Sequence, residues 1–263
     1  MKPLMRIFIP IFTAILLSAC SPNSEAEKAT KDSKEPTAEV EADFNQEPTS
    51  TESNQTNPAM TQAEVIESIR TDLKTNVTKL LPSELPLQND KYLTATTTSD
   101  ESHYEVVFYE SNEPTAINHE TSADGQIIAR LHAQKYESKQ EAVEQIAFEN
   151  FSELGGQPID LGYGITGYQD AGAGSMWTSW NEGRWAIAAH TRTTDGEKGE
   201  ELAKEATKFL ETHTLPIPKP NGFAHIDVYQ LDNRIAWQNE NIVYMIDEVK
   251  DPMIALEIAT SIE

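Results

Sequence analysis

Residues 176–190 read Met176-Trp177-Thr178-Ser179-Trp180, then Asn181-Glu182-Gly183, then Arg184-Trp185-Ala186-Ile187-Ala188-Ala189-His190. Two runs rich in tryptophan and small apolar residues flank a short polar segment that ends in glycine. That is the pattern of an antiparallel pair of strands around a tight turn. A stretch with Leu202, Ala206, Phe209 and Leu210 on one side follows, and its spacing predicts a helix.

The same order of features recurs on both sides. Downstream, Arg234-Ile235-Ala236-Trp237, the turn Gln238-Asn239-Glu240-Asn241 and Ile242-Val243-Tyr244-Met245-Ile246 lead into Asp251-Pro252, a helix start with a capping aspartate and proline in the first turn. Ile254, Ile258 and Ile262 mark the apolar side of that helix. Upstream, the strand-like runs Tyr104–Tyr109 and Ile127–Ala133 precede Ser138-Lys139-Gln140-Glu141, a capping sequence before Ala142, Val143 and Ile146. Ahead of all three units, Thr61-Gln62-Ala63-Glu64 reads as a capping box for an amphipathic helix through Val65, Ile66, Ile69, Leu73, Val77 and Leu80, stopped by Pro82. The expected fold is therefore α+β. Antiparallel sheet is built from repeated strand-strand-helix units, with the helices packed on one face and an amphipathic helix in front. Residues 59–263 form this domain, as one body or as lobes 59–155 and 156–263.

The chain before it is different material. Residues 20–58 are rich in Glu, Ser, Thr, Asn, Lys and Pro, with Val40 and Phe44 as the only large apolar residues. Such a segment buries too little to offset its ordering entropy, so a disordered acidic tether is expected, spanning roughly 35 Å. Residues 1–19 carry Lys2 and Arg6, then the apolar run Ile7–Leu17, the layout of a secretory signal. It ends in Leu17-Ser18-Ala19-Cys20, which resembles the lipobox of bacterial prolipoproteins. The resemblance implies cleavage before Cys20, lipid on its sulfur, and a protein held at the extracytoplasmic face of the cell membrane. The closing unit, from the strand bearing Trp237 to Ile258-Ala259-Thr260-Ser261-Ile262, resembles an uncharacterised domain of exported lipoproteins and membrane-linked regulators in Gram-positive bacteria. Leu161 to Pro218 is similar to uncharacterised Firmicute-type lipoproteins. These likenesses imply a compartment and a fold, and no activity.

Composition narrows the function further. The formal charge is −23, and cleavage before Cys20 removes Lys2 and Arg6 but no acid. A body so acidic, with no basic stretch, does not suit nucleic acid, which is bound by neutralising phosphates. Cys20 is the sole cysteine, so the domain has no disulfide framework and no thiolate nucleophile.

Gly162-Tyr163-Gly164-Ile165-Thr166-Gly167 satisfies the G-x-G-x-x-G spacing of dinucleotide-binding turns, but no helix is expected after it to hold a pyrophosphate. Glycines that let strands bend are the simpler reading. The histidines His103, His119, His132, His190, His213 and His225 form no ligand-spaced pair in the sequence, so neither a metal nor another cofactor is expected. His190 and Asp195 with Ser175 or Ser179 can be assembled into a hydrolase triad on paper, without the strand-turn motif that supports one. The aromatic residues Tyr163, Tyr168, Trp177, Trp180 and Trp185 beside the glycine-rich loop are the candidate ligand surface, with core packing as the competing reading. The function expected is a non-enzymatic binding or interaction domain for an envelope protein or glycan. An envelope hydrolase and a lipid or lipoprotein carrier are the alternatives.

Overall fold

The computed structural model describes residues 59–263, which form one ten-stranded sheet carrying five short helices. Cys20, the signal segment and the tether expected over 20–58 lie outside the described residues. Helix α1 (Gln62–Asp72) comes first, and then strands β1 (Tyr92–Ser99), β2 (His103–Ser111) and β3 (Gln126–Lys135). Two short helices, α2 (Lys139–Val143) and α3 (Phe151–Leu154), lead to β4 (Gln157–Gly162), β5 (Ile165–Gly172), β6 (Ser175–Glu182) and β7 (Trp185–Arg192). Helix α4 (Gly196–Leu210), strands β8 (Gly222–Asp227), β9 (Asn233–Asn239) and β10 (Ile242–Val249), and helix α5 (Pro252–Thr260) complete the chain.

The strands lie in the order β1-β2-β3-β10-β9-β8-β7-β6-β5-β4. The chain thus lays down one edge with β1 to β3, starts again at the other edge with β4, and works inward. Strand β10 closes the sheet by pairing with both β9 and β3. Every neighbour is antiparallel except β7 and β8, which run parallel. A parallel neighbour needs a crossover, and α4 with the proline-rich Leu215–Pro220 link supplies it.

Three units of two strands and a helix are not what forms. The groups hold three, four and three strands, and α2 does not join the other helices. Helices α1, α4 and α5 share one core with Phe108, Leu131, Trp180, Ile187, Ile235 and Tyr244. Ala142 of α2 and the following Ile146 pack instead with Ala236 and Val243, which alternation along β9 and β10 places on the opposite face. The helix-side core is tightly occupied. One register row crosses the sheet as Tyr104, Ala133, Tyr244, Trp237, Gly222 and Trp185, with Trp237 and Tyr244 stacked at 5.3 Å between ring centroids.

The capping box at Thr61 and Glu64 is present in both directions. Helix α1 nevertheless ends at Asp72, short of the expected stop at Pro82. Leu73, Val77 and Leu81 are still buried, but on irregular chain. Sheet tyrosines take over the backbone groups there: Tyr104 Oη donates to Leu80 O and accepts from Leu80 N, and Tyr244 Oη donates to Thr78 O. Burial pushes the Tyr244 hydroxyl up to about 12, and the Tyr104 hydroxyl is raised by burial as well, so both are protonated donors at neutral pH.

Candidate functional site on the open sheet face

Side chains alternate along a strand, so the register decides which aromatic residues share a surface. On β6 and β7, Trp177 pairs with His190, Trp180 with Ile187, and Glu182 with Trp185. Trp180 and Trp185 therefore face the helices, where both are buried. Trp185 also donates from Nε1 to Pro216 O at 3.1 Å and lines a cavity against Leu215–Pro218. Trp177 faces the other way. Pairing carries this open face outward through Asp170 and Tyr168 on β5 and inward through His190, then Asp227, His225 and Phe223 on β8. Tyr163 joins neither group: it sits 61 % exposed in the β4–β5 turn with φ 54°. Gly162 and Gly164 flank it, also at positive φ, and strand β5 follows, so the G-x-G-x-x-G stretch is a hairpin turn.

Over β5 to β8, the open face carries a cavity of about 330 Å³. Tyr168, Asp170, Trp177, Ser179, Ala188 and Phe223 line it from the sheet, while Phe151, Leu154 and Gly155 line it from the α3 segment. Asn181 of β6 pins that segment. Its Oδ1 accepts from Phe151 N at 2.9 Å and its Nδ2 donates to Glu149 O at 2.8 Å. Leu154 stays 63 % exposed at the rim.

Next to the cavity, on the same face, stands a polar cluster. His190 and Asp227 are register partners on the parallel strands β7 and β8, and His225 lies two residues before Asp227 on the same side. His190 Nδ1 is 2.5 Å from Asp227 Oδ2. The other oxygen, Oδ1, accepts from the backbone N–H of Tyr229 at 2.6 Å, and Asn233 Oδ1 accepts from Asp227 N. The carboxylate is thus buried but fully oriented. His225 is buried as well, and burial holds its imidazole below the usual range against the opposing pull of Asp232 and Asp227. Its Nδ1 is 3.7 Å from Asp232 Oδ2, and its Nε2 is buried with no hydrogen-bond partner. The Trp177 indole covers both rings, with centroids 4.5 Å from His190 and 5.1 Å from His225.

Further along the face, Arg130 of β3 donates two bonds to Asp247 of β10, at 2.7 and 2.8 Å, and approaches Glu248 at 3.1 Å. His132 Nε2 is 3.6 Å from Asp247 Oδ2, a little too far for a hydrogen bond.

Sequence reading did not single out Asp227 and left His190 and His225 as unrelated histidines. The available signal was His225-Ile226-Asp227, since alternate residues of a strand share a face. Asp195, the carboxylate offered to His190 by the triad reading, instead accepts from Tyr229 Oη. His119 lies in a loop, and His213 stacks on Phe209 beyond α4. No protein-family model, no curated protein and no solved structure matches the chain.

Proposed function

We propose that this chain is a lipid-anchored extracytoplasmic protein whose domain binds an envelope component, protein or glycan, on the open face of its sheet. One observation carries the reading: Tyr168 and Trp177, with the Asp170 carboxylate and the Ser179 hydroxyl, line one cavity that the α1, α4 and α5 layer leaves uncovered. Aromatic faces with a few polar groups suit sugar rings or peptide side chains. The anchor rests on Leu17-Ser18-Ala19-Cys20, the resemblance to a lipobox, with residues 20–58 as spacer. The acidic body keeps nucleic acid outside the reading.

Fatty-acid labelling of the wild-type chain, lost in Cys20→Ser, tests the anchor. The site is tested by binding scans against soluble wall glycans and ectodomain peptides. Tyr168→Ala and Trp177→Ala are expected to weaken binding at least tenfold while circular dichroism and thermal midpoint stay near wild type. A loss of binding that only accompanies unfolding removes the site from this face.

The hydrolase reading has one observation in its favour, the hydrogen-bonded His190–Asp227 pair. The carrier reading needs open apolar space between sheet and helices: Trp180, Trp237, Tyr104, Tyr244 and Phe108 fill the centre, and a cavity of about 480 Å³ lies between Trp185, Ile187, Leu210 and Leu215–Pro218.

A further inference from the structure

We infer that His190, His225 and Asp227 form a binding site for a divalent transition ion of the zinc class, held by two imidazole nitrogens and one carboxylate oxygen. The three residues each offer one donor atom, and these donors lie within 4.8 Å of one another. Donors at about 2.1 Å around a tetrahedral zinc ion lie roughly 3.4 Å apart, so closing the widest pair takes a shift of about 1.4 Å. The half-buried His190 can supply that by rotation.

Several details favour an ion over a structural polar knot. His225 Nε2 is buried and unpartnered, an arrangement that costs free energy unless something absent from the protein satisfies it. The Asp232 carboxylate beside Nδ1 favours the tautomer with the proton on that nitrogen, which leaves a lone pair on Nε2. Asp227 is oriented through Oδ1 by the N–H groups of Tyr229 and Leu231, so Oδ2 is the oxygen aimed at His190. Trp177 packs on both imidazoles. Two imidazoles and a carboxylate suit zinc, and three protein ligands leave a coordination position for an external group. On loading, the proton between His190 Nδ1 and Asp227 Oδ2 gives way to the ion: from a neutral ring it moves to Nε2, and from a charged ring it passes to solvent.

The test uses the full chain in detergent, stripped by a chelator and titrated with Zn(II) in competition with a chromogenic chelator. Co(II) is the spectroscopic probe. One equivalent of Zn(II) is expected to bind saturably. His190→Asn and His225→Asn should each weaken it at least a hundredfold, since even outer-shell changes at metal sites cost tenfold to a hundredfold. His213→Asn should leave it unchanged. Co(II) should quench tryptophan emission, and Trp177→Phe should remove most of that quenching. This locates the ion without a ligand substitution that risks unfolding the chain. Absence of saturable binding, wild-type affinity in both histidine variants, or quenching that survives in Trp177→Phe would falsify the site. Absence of glycan and peptide binding by the wild-type chain, with Zn(II) binding intact, overturns only the cavity reading, and the reverse result overturns only this one.

Discussion

Gly222 is the residue on which the helix-side packing turns most sharply. It sits in register between Trp237 and Trp185, and a β-carbon there would stand 2.7 Å from the Trp185 ring. Its backbone is not in the left-handed region, so the requirement is space alone. Gly222→Ala should destabilise the chain by about 1–3 kcal/mol through overpacking, read as a lower urea midpoint with unchanged slope. Asp247 makes a different case. Burial would raise its carboxyl, but the His132 and Arg130 side chains more than offset this and hold it at about 2. A folded value below the unfolded one, near 3.9, stabilises above about pH 4 and loses that contribution as pH falls towards 2. Asp247→Asn should cost on the order of 2 kcal/mol at pH 7, and urea midpoints of variant and wild type should converge near pH 2. Neither role was legible in the sequence, because a glycine at the start of a strand and one acid among many carry no mark of their neighbours.

At the scale of elements, local patterning was a fair guide where it was strong. The runs around Trp177, Trp185, Trp237 and Tyr244 form strands, and Asp251 caps α5 through bonds to Met253 N and Ile254 N. Four strands escaped notice. β1 reads Tyr-Leu-Thr-Ala-Thr-Thr-Thr-Ser, polar and without alternation, β4 carries Pro158 and ends in glycine, β5 is interrupted by Gly167, and β8 is short. What makes them strands is a neighbouring ladder, which is not a local property. The end of α1 has the same cause, since tyrosine hydroxyls from β2 and β10 satisfy backbone that helix periodicity would have claimed. The α3 segment depends on one side chain. Asn181→Ala removes both bonds to residues 149–151 and should cost about 1 kcal/mol in stability. Hydrogen exchange should then speed at the Phe151 amide while the amides of β6 and β7 keep their protection; equal protection at Phe151 in both proteins would show that the segment is held by other contacts.

Across the whole molecule, β10 has an outsized part. It joins β1–β3 to the strands from β4 onward, with Tyr244 and Ile246 contributing to the shared core. Residues 59–155 and 156–263 should therefore unfold together, with amides of β2 and β9 exchanging through one global opening of equal free energy. Two separated transitions in urea would show independent lobes instead. Helix start signals, tight turns and the alternation of single strands were set by the sequence directly, because each depends on residues a few positions apart. The acidic composition of residues 20–58 is likewise read from the sequence alone. The face on which Trp177 stands, the parallel register that brings His190 to Asp227, and the closure of β10 against β3 came only with the folded sheet. These depend on pairings between strands far apart in the chain, and a slip of one residue would turn every one of those side chains to the other side.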